Sequence, residues 1–140
     1  MLYWTLLKSK QQPRLDHLFR ALADSTRLRL MNLIAGQELC VCYFVQVIDV
    51  PQPKISRHLA YLRRAGIVAA RREGKWMHYR LATPADPHTA AILKTTLASF
   101  RYNKEMQRDL QRLRHSCCSP QSLIRLMGAP LPGKPPARES

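Results

Sequence analysis

PQPKISRHLAYLRRAGIVAARREGKWMHY, residues 51–79, carries the pattern that decides the fold. Within it Ile55, Leu59 and Leu62 recur at spacings of four and three, so they share one face of a helix, with Tyr61 on its flank. That face turns inward. Gln52, Lys54, Ser56, Arg57 and His58 crowd the first turns of the same helix. Side chains there reach base edges when a helix lies in a major groove, and the free backbone N–H groups favour phosphate. Ala65-Gly66 stops the helix, because glycine accepts the left-handed conformation common at helix C-termini. Two strand-like runs follow, 67–72 and 75–82, around the pair Glu73-Gly74 as a short loop. On the second run Trp76, His78 and Arg80 alternate with Met77, Tyr79 and Leu81, which sends one set to the core and the other toward solvent or nucleic acid. Arg71, Arg72 and Lys75 at the tip, with His78 behind them, read as a wing that tracks a phosphate backbone. The competing reading is a solvated charged surface, but the cations cluster on two consecutive elements instead of spreading along the chain.

Upstream, residues 41–49 form a short helix ended by Val50-Pro51, since the residue before proline avoids the helical region. Gln52-Pro53 restarts the chain at a first helical turn, where proline loses no hydrogen bond. Residues 38–65 therefore make a helix, a turn and a second helix. Before them, Leu15, Leu18, Phe19 and Leu22 trace one helical stripe. Asp24-Ser25 caps another helix, with Leu28, Met31, Leu33 and Ile34 as its buried candidates and Gly36 closing it. Residues 1–13 show no pattern and read as a flexible arm.

Downstream, Asp86 is an N-cap and Pro87 a first helical residue. Leu93, Leu97 and Phe100, then Met106, Leu110 and Leu113, form two apolar triplets, each spaced four and three. A single helix over 87–115 would be roughly 40 Å long, more than the rest of the domain can cover. A partner subunit is the natural cover; the alternative is a helix that folds back on its own domain. The tail, 117–140, holds Cys117-Cys118 and then five prolines, Pro120, Pro130, Pro132, Pro135 and Pro136, and reads as disordered. The fold class is mostly α with a small β-hairpin (α+β): a winged helix-turn-helix over 14–116.

Lys+Arg number 23 against nine Asp+Glu in 140 residues, a net charge of +14, so a polyanion is the obvious partner. No run approaches the ~18 apolar residues of a spanning helix. The opening MLYWTLLK lacks the basic start and small-residue end of a secretory signal, so a cytoplasmic location is expected. Four cysteines there would be thiols. No glycine-rich phosphate loop, paired carboxylates or zinc-hydrolase motif appears, which argues against an enzyme.

Cys40 and Cys42 lie in ELCVC, 38–42, at the start of the short helix. Residues i and i+2 stand about 200° apart on a regular helix but on one side of an extended segment. The thiols can therefore grip one ion only if the helix start is unwound, a conflict that would make a switch. A helix N-terminus amid basic residues lowers a thiol pKa, so thiolate is expected near neutral pH. The alternative is two small buried hydrophobes.

ELCVC, then PKISRHLAYLRRAGIV and REGKWMHYRL, resembles the ArsR/SmtB family of winged-helix repressors, most closely its arsenic-responsive branch, over roughly residues 15–115. The resemblance implies a homodimer built through the N- and C-terminal helices, bound to double-stranded operator DNA. It also implies release of that DNA when As(III) or Sb(III) binds thiolates at positions matching Cys40 and Cys42, with no resident cofactor. In that branch a third cysteine follows; here the position holds Val45. Either two thiols suffice, as for a trivalent organoarsenical that brings its own carbon ligand, or Cys117 and Cys118 complete the metal set or form a second site. Unconstrained tail cysteines are the alternative there. His88 and His115 stand too far apart on the predicted helix to share one ion, which disfavours a zinc sensor, and thiolates select soft ions. A thiol-redox-sensing regulator of the same fold is the competing function.

Overall fold

The first helix, α1 (Leu15–Leu22), buries Leu18 and Ala21 but leaves Leu15 and Phe19 about half exposed, so only part of the apolar stripe is covered among the described residues. The structure, a computed structural model, describes residues 14–118 together with Pro132 and Gly133. The predicted arm 1–13, the remaining tail and the side chains of Cys117 and Cys118 lie outside the described residues. Helix α2 (Ser25–Leu33) starts where expected: the Asp24 carboxylate accepts the Arg27 backbone N–H at 3.0 Å. Leu30, Met31, Leu33 and Ile34 are buried, with Leu28 on the margin.

Residues Leu39–Cys40 form a two-residue strand, β1, which leads directly into α3 (Val41–Ile48). Asp49 closes α3 in the left-handed region (φ 59°), a conformation aspartate tolerates better than most residues. Helix α4 (Gln52–Arg64) begins three residues later. Its Ile55, Leu59 and Leu62 are all 0% exposed, as their spacing demands. Gly66, at φ 77°, turns the chain into β2 (Val68–Glu73) and β3 (Trp76–Leu81).

The sheet is antiparallel in the order β1-β3-β2, with Cys40 opposite His78 and Leu39 opposite Tyr79. Strand β1 extends the predicted hairpin to three strands. Glu73 still pairs with Trp76, so the two-residue loop is Gly74-Lys75, one residue beyond the expected pair; Gly74 supplies φ 59°. Phe44 of α3 meets Tyr79 edge to face at 6.2 Å, which joins the sheet to the helical core. The free side of β1 carries one bridge: Glu38 N–H donates to the Gly133 carbonyl at 2.6 Å, and Gly133 N–H returns to Glu38 at 3.0 Å.

The long helix is the main correction. Helix α5 (Pro87–Ser99), capped by Asp86 through the Thr89 N–H at 2.8 Å, ends in a 3₁₀ turn, Phe100–Tyr102. Asn103 is extended (φ −96°, ψ 119°) and accepts the Met106 N–H at 3.1 Å, which caps a new helix, α6 (Lys104–Cys118). This helix folds back on its own domain. Asp109, 2% exposed in its side chain, takes both arms of Arg29 at 2.7 and 2.9 Å. Asn32 donates to the Met106 carbonyl at 2.9 Å, and Arg112 to Val47 at 3.2 Å. Met106 and Leu113, the face expected to need a second subunit, are 5% and 2% exposed. Among the described residues no helix is long and apolar enough to cross a membrane.

Candidate functional site

Gln52, Lys54, Ser56 and Arg57 are exposed along the first turns of α4, opposite the face that buries Ile55 and Leu59. They are presented together, as read from the sequence. His58 is not part of that free edge. Its Nδ1 lies 3.4 Å from an Arg27 guanidinium nitrogen and 3.9 Å from Asp24, with 15% of the side chain exposed. Burial, above all, lowers its pKa, helped by Arg27, Lys54 and Arg57 and opposed by Asp24.

Arg27 escaped the sequence reading. Its guanidinium donates to the Ala21 and Arg20 carbonyls, each at 2.8 Å, which satisfies the end of α1, and it stacks 4.2 Å from the centroid of the Tyr61 ring. One cation thus joins α1, α2 and α4 and fixes how the exposed face of α4 is held. Arg63 and Arg64 are also exposed near the end of α4 and extend its cationic surface.

On the hairpin, Arg72 and Lys75 are exposed, the latter 5.2 Å from the Trp76 ring centroid. Two residues depart from expectation. His78 is buried, 4% exposed, because β1 adds a strand on the open side of β3; it does not face outward as a phosphate contact. Among the described residues its Nε2 has no hydrogen bond, although a Glu73 carboxylate oxygen lies 3.4 Å away. Arg71 is half exposed but engaged: its Nε donates to Glu38 at 2.8 Å and a terminal nitrogen to Glu73 at 3.0 Å. Those carboxylates raise its pKa further.

The thiols of Cys40 and Cys42 stand 3.7 Å apart, Sγ to Sγ. No unwinding is needed to bring them together. Cys40 is the N-cap of α3 with extended backbone (φ −73°, ψ 151°), so only Cys42 is helical and the 200° separation does not apply. Two sulfurs bonded to one ion at ~2.3 Å, with an angle between a right angle and tetrahedral, are separated by roughly 3.3–3.8 Å. The pair is therefore already at chelating distance. Cys40 is 1% exposed and Cys42 partly so, which gives the site one open side. The expectation of thiolate near neutral pH fails for Cys42. Burial, then the neighbouring Cys40, pushes its thiol up to about 11. Among the described residues no three His, Cys, Asp or Glu side chains gather as a metal site. Val45 occupies the third position, and α6 carries the backbone of Cys117 and Cys118 at its end.

The model of the family described as bacterial regulatory protein, arsR family, matches residues 24–70, the span from the cap of α2 through the thiol pair and α4 into β2. The chain is 51% identical over 77 residues to the arsenic resistance transcriptional regulator ArsR1 of Pseudomonas putida, covering 54% of this chain and 60% of that protein. It is 45% identical over 80 residues to ArsR2 of the same organism, covering 56% of this chain and 70% of that protein. The chain thus spans about three-fifths of the length of the first of these relatives. Among solved structures, the transcriptional regulator HlyU of Vibrio vulnificus aligns with a TM-score of 0.52 and 26% identity, over 71% of this chain and 98% of that one.

Proposed function

Because the chain belongs to the arsR family of bacterial regulatory proteins, we propose that it is an operator-binding repressor whose inducer is a trivalent arsenical or antimonial held by Cys40 and Cys42. The observation that carries this reading is the 3.7 Å separation of the two sulfurs at the junction of β1 and α3. Gln52, Lys54, Ser56 and Arg57 enter the major groove, and Arg72 and Lys75 follow the phosphate backbone. Two copies act together, joined through their N- and C-terminal helices; the half-exposed Leu15 and Phe19 of α1 support that arrangement.

The chemistry balances without net proton release. Each thiol forms an S–As bond, an As–O bond of arsenous acid breaks, and the thiol proton departs with the hydroxide as water. The raised Cys42 pKa therefore slows attack without opposing the equilibrium. Two sulfurs leave a third bond on arsenic, which a hydroxide or the inducer's own carbon group fills.

The test is fluorescence anisotropy on a duplex selected by the full chain from a random library, with thiols kept reduced. Arsenite and phenylarsine oxide release the DNA and zinc does not. Unchanged DNA affinity in saturating arsenical sinks the proposal, and release by peroxide alone would point to thiol oxidation instead.

A further inference from the structure

Glu38 sits two residues before Cys40, and its surroundings are unlike those of a surface carboxylate. The residue is 4% exposed, yet its partner is a cation on the wing: Arg71 Nε reaches it at 2.8 Å. His78 Nδ1 lies 3.9 Å from the same oxygen. The backbone of Glu38 is occupied as well, in the paired bonds to Gly133. Across the sheet, Cys40 faces His78 and His78 faces Arg71, so the three form a row over β1, β3 and β2, and Glu38, the residue before β1, reaches Arg71 on β2.

Resting on the reading of Cys40 and Cys42 as the inducer site, we propose that Glu38 is the positioning residue that passes the state of the thiol pair to the wing, by holding Arg71. A buried carboxylate stripped of its cation is costly, so Arg71 follows Glu38 when β1 shifts, where an exposed ion pair would simply let go. The first turn of α3 and β1 meet at Cys40, so a change of geometry there displaces Glu38 through two residues of chain. Arg71 is thereby a linker before it is a phosphate contact; Arg72 and Lys75 remain exposed on the wing.

The experiment measures two quantities in the full chain, its Glu38→Gln variant, its Arg71→Gln variant and the double variant. One is the affinity for phenylarsine oxide without DNA. The other is the ratio of DNA affinities without and with saturating phenylarsine oxide. Glu38→Gln leaves no uncompensated buried charge and keeps an oxygen that accepts from Arg71, so it folds even if Arg71→Gln, which strips the buried Glu38 of its cation, is impaired. The expected result is arsenical affinity within about twofold of the parent, a release ratio reduced by about tenfold in each single variant, and no further reduction in the double variant. A merely structural role would weaken arsenical binding and DNA binding alike. A release ratio in either single variant within twofold of the parent, with the arsenical still bound, overturns the linkage while leaving the inducer site intact. Losses that multiply in the double variant also overturn it. A parent protein that keeps its DNA in saturating arsenical overturns this proposal and the proposed function together.

Discussion

Replacing Cys42 by serine removes one of two sulfurs 3.7 Å apart, and the size of the expected loss follows from that distance. A thiol confined to a sphere of 3.7 Å radius about its neighbour is present at an effective concentration on the order of 8 M, so the second S–As bond closes within the molecule. In the variant an external thiol must supply that bond, and at about 1 mM glutathione the ratio is roughly 10⁴, or about 5 kcal/mol. Folding should be spared, because Cys42 is only partly buried and Tyr43 and Phe44 beside it carry the packing of α3. The assay is arsenite-driven release of a fluorescent selected duplex in 1 mM glutathione, with both Cys117 and Cys118 replaced by serine so that a single thiol pair is read. The half-release concentration should rise by at least about a thousandfold while DNA affinity without arsenite stays within about threefold. A shift under tenfold would mean that Cys40 and Cys42 do not share one arsenic atom, and the chelating geometry would have no functional meaning.

Arg27→Ala leaves the end of α1 and the Tyr61 ring without their shared cation, and should cost about 2–4 kcal/mol in urea unfolding as well as weakening DNA binding. An equilibrium change under 1 kcal/mol would show that the side chain is held without contributing. Asp109→Asn breaks the two-armed pair with Arg29, whose side chain is 17% exposed and so partly rehydrates. A loss of about 2–3 kcal/mol is expected, with faster hydrogen exchange along α6 as the local signature. Because burial holds the His58 pKa below 6.5, the unfolded chain binds more protons than the folded one between the two values. Its stabilising contribution is complete above pH 6.5 and is lost as pH falls through that window. Melting scans from pH 7.5 to 5 should flatten in His58→Gln, and an unchanged slope would assign the effect elsewhere. With its thiol raised to about 11 from an ordinary 9.0, Cys42 carries roughly a hundredfold less thiolate at pH 8, so iodoacetamide should modify it far more slowly than a free thiol, as peptide mass mapping would show.

The parts of the fold written as periodic apolar faces were legible. Ile55, Leu59 and Leu62 set α4, and Asp24, Asp86 and Gly66 marked boundaries through side-chain and backbone chemistry that acts within four residues. What escaped was non-periodic or distant. A two-residue strand shows no alternation, so β1 and the burial it gives His78 could not be read. Arg29 and Asp109 stand 80 positions apart, and each resembles a solvated surface charge until paired. The break between α5 and α6 did leave a trace. Phe100 and Met106 are six apart, out of phase with a helical face, and Asn103 between them is a preferred N-cap. The thiol geometry was misjudged for a related reason: residue 40 lies outside the helix that residue 42 has already entered.

Under the proposed function, that placement decides where switching energy can arise. The sulfurs already stand at chelating distance, so little of the inducer's binding energy is spent drawing them together, and the coupling must come from what Cys40 anchors. It anchors two things, as the last residue of β1 and the N-cap of α3. Moving an equilibrium from 99:1 to 1:99 takes about 5.5 kcal/mol, comparable to a few net hydrogen bonds at ~1 kcal/mol each plus some packing. Disturbing the β1–β3 ladder and the first turn of α3 supplies changes on that scale without opening the core. Nor can α3 yield alone. Tyr43 and Phe44 are fully buried, as are Ile55 and Leu59 of α4, and a close-packed interior transmits a shift instead of absorbing it. A perturbation at one residue therefore reaches α4 through packing and the wing through the sheet, the two surfaces that the proposed function sets against DNA.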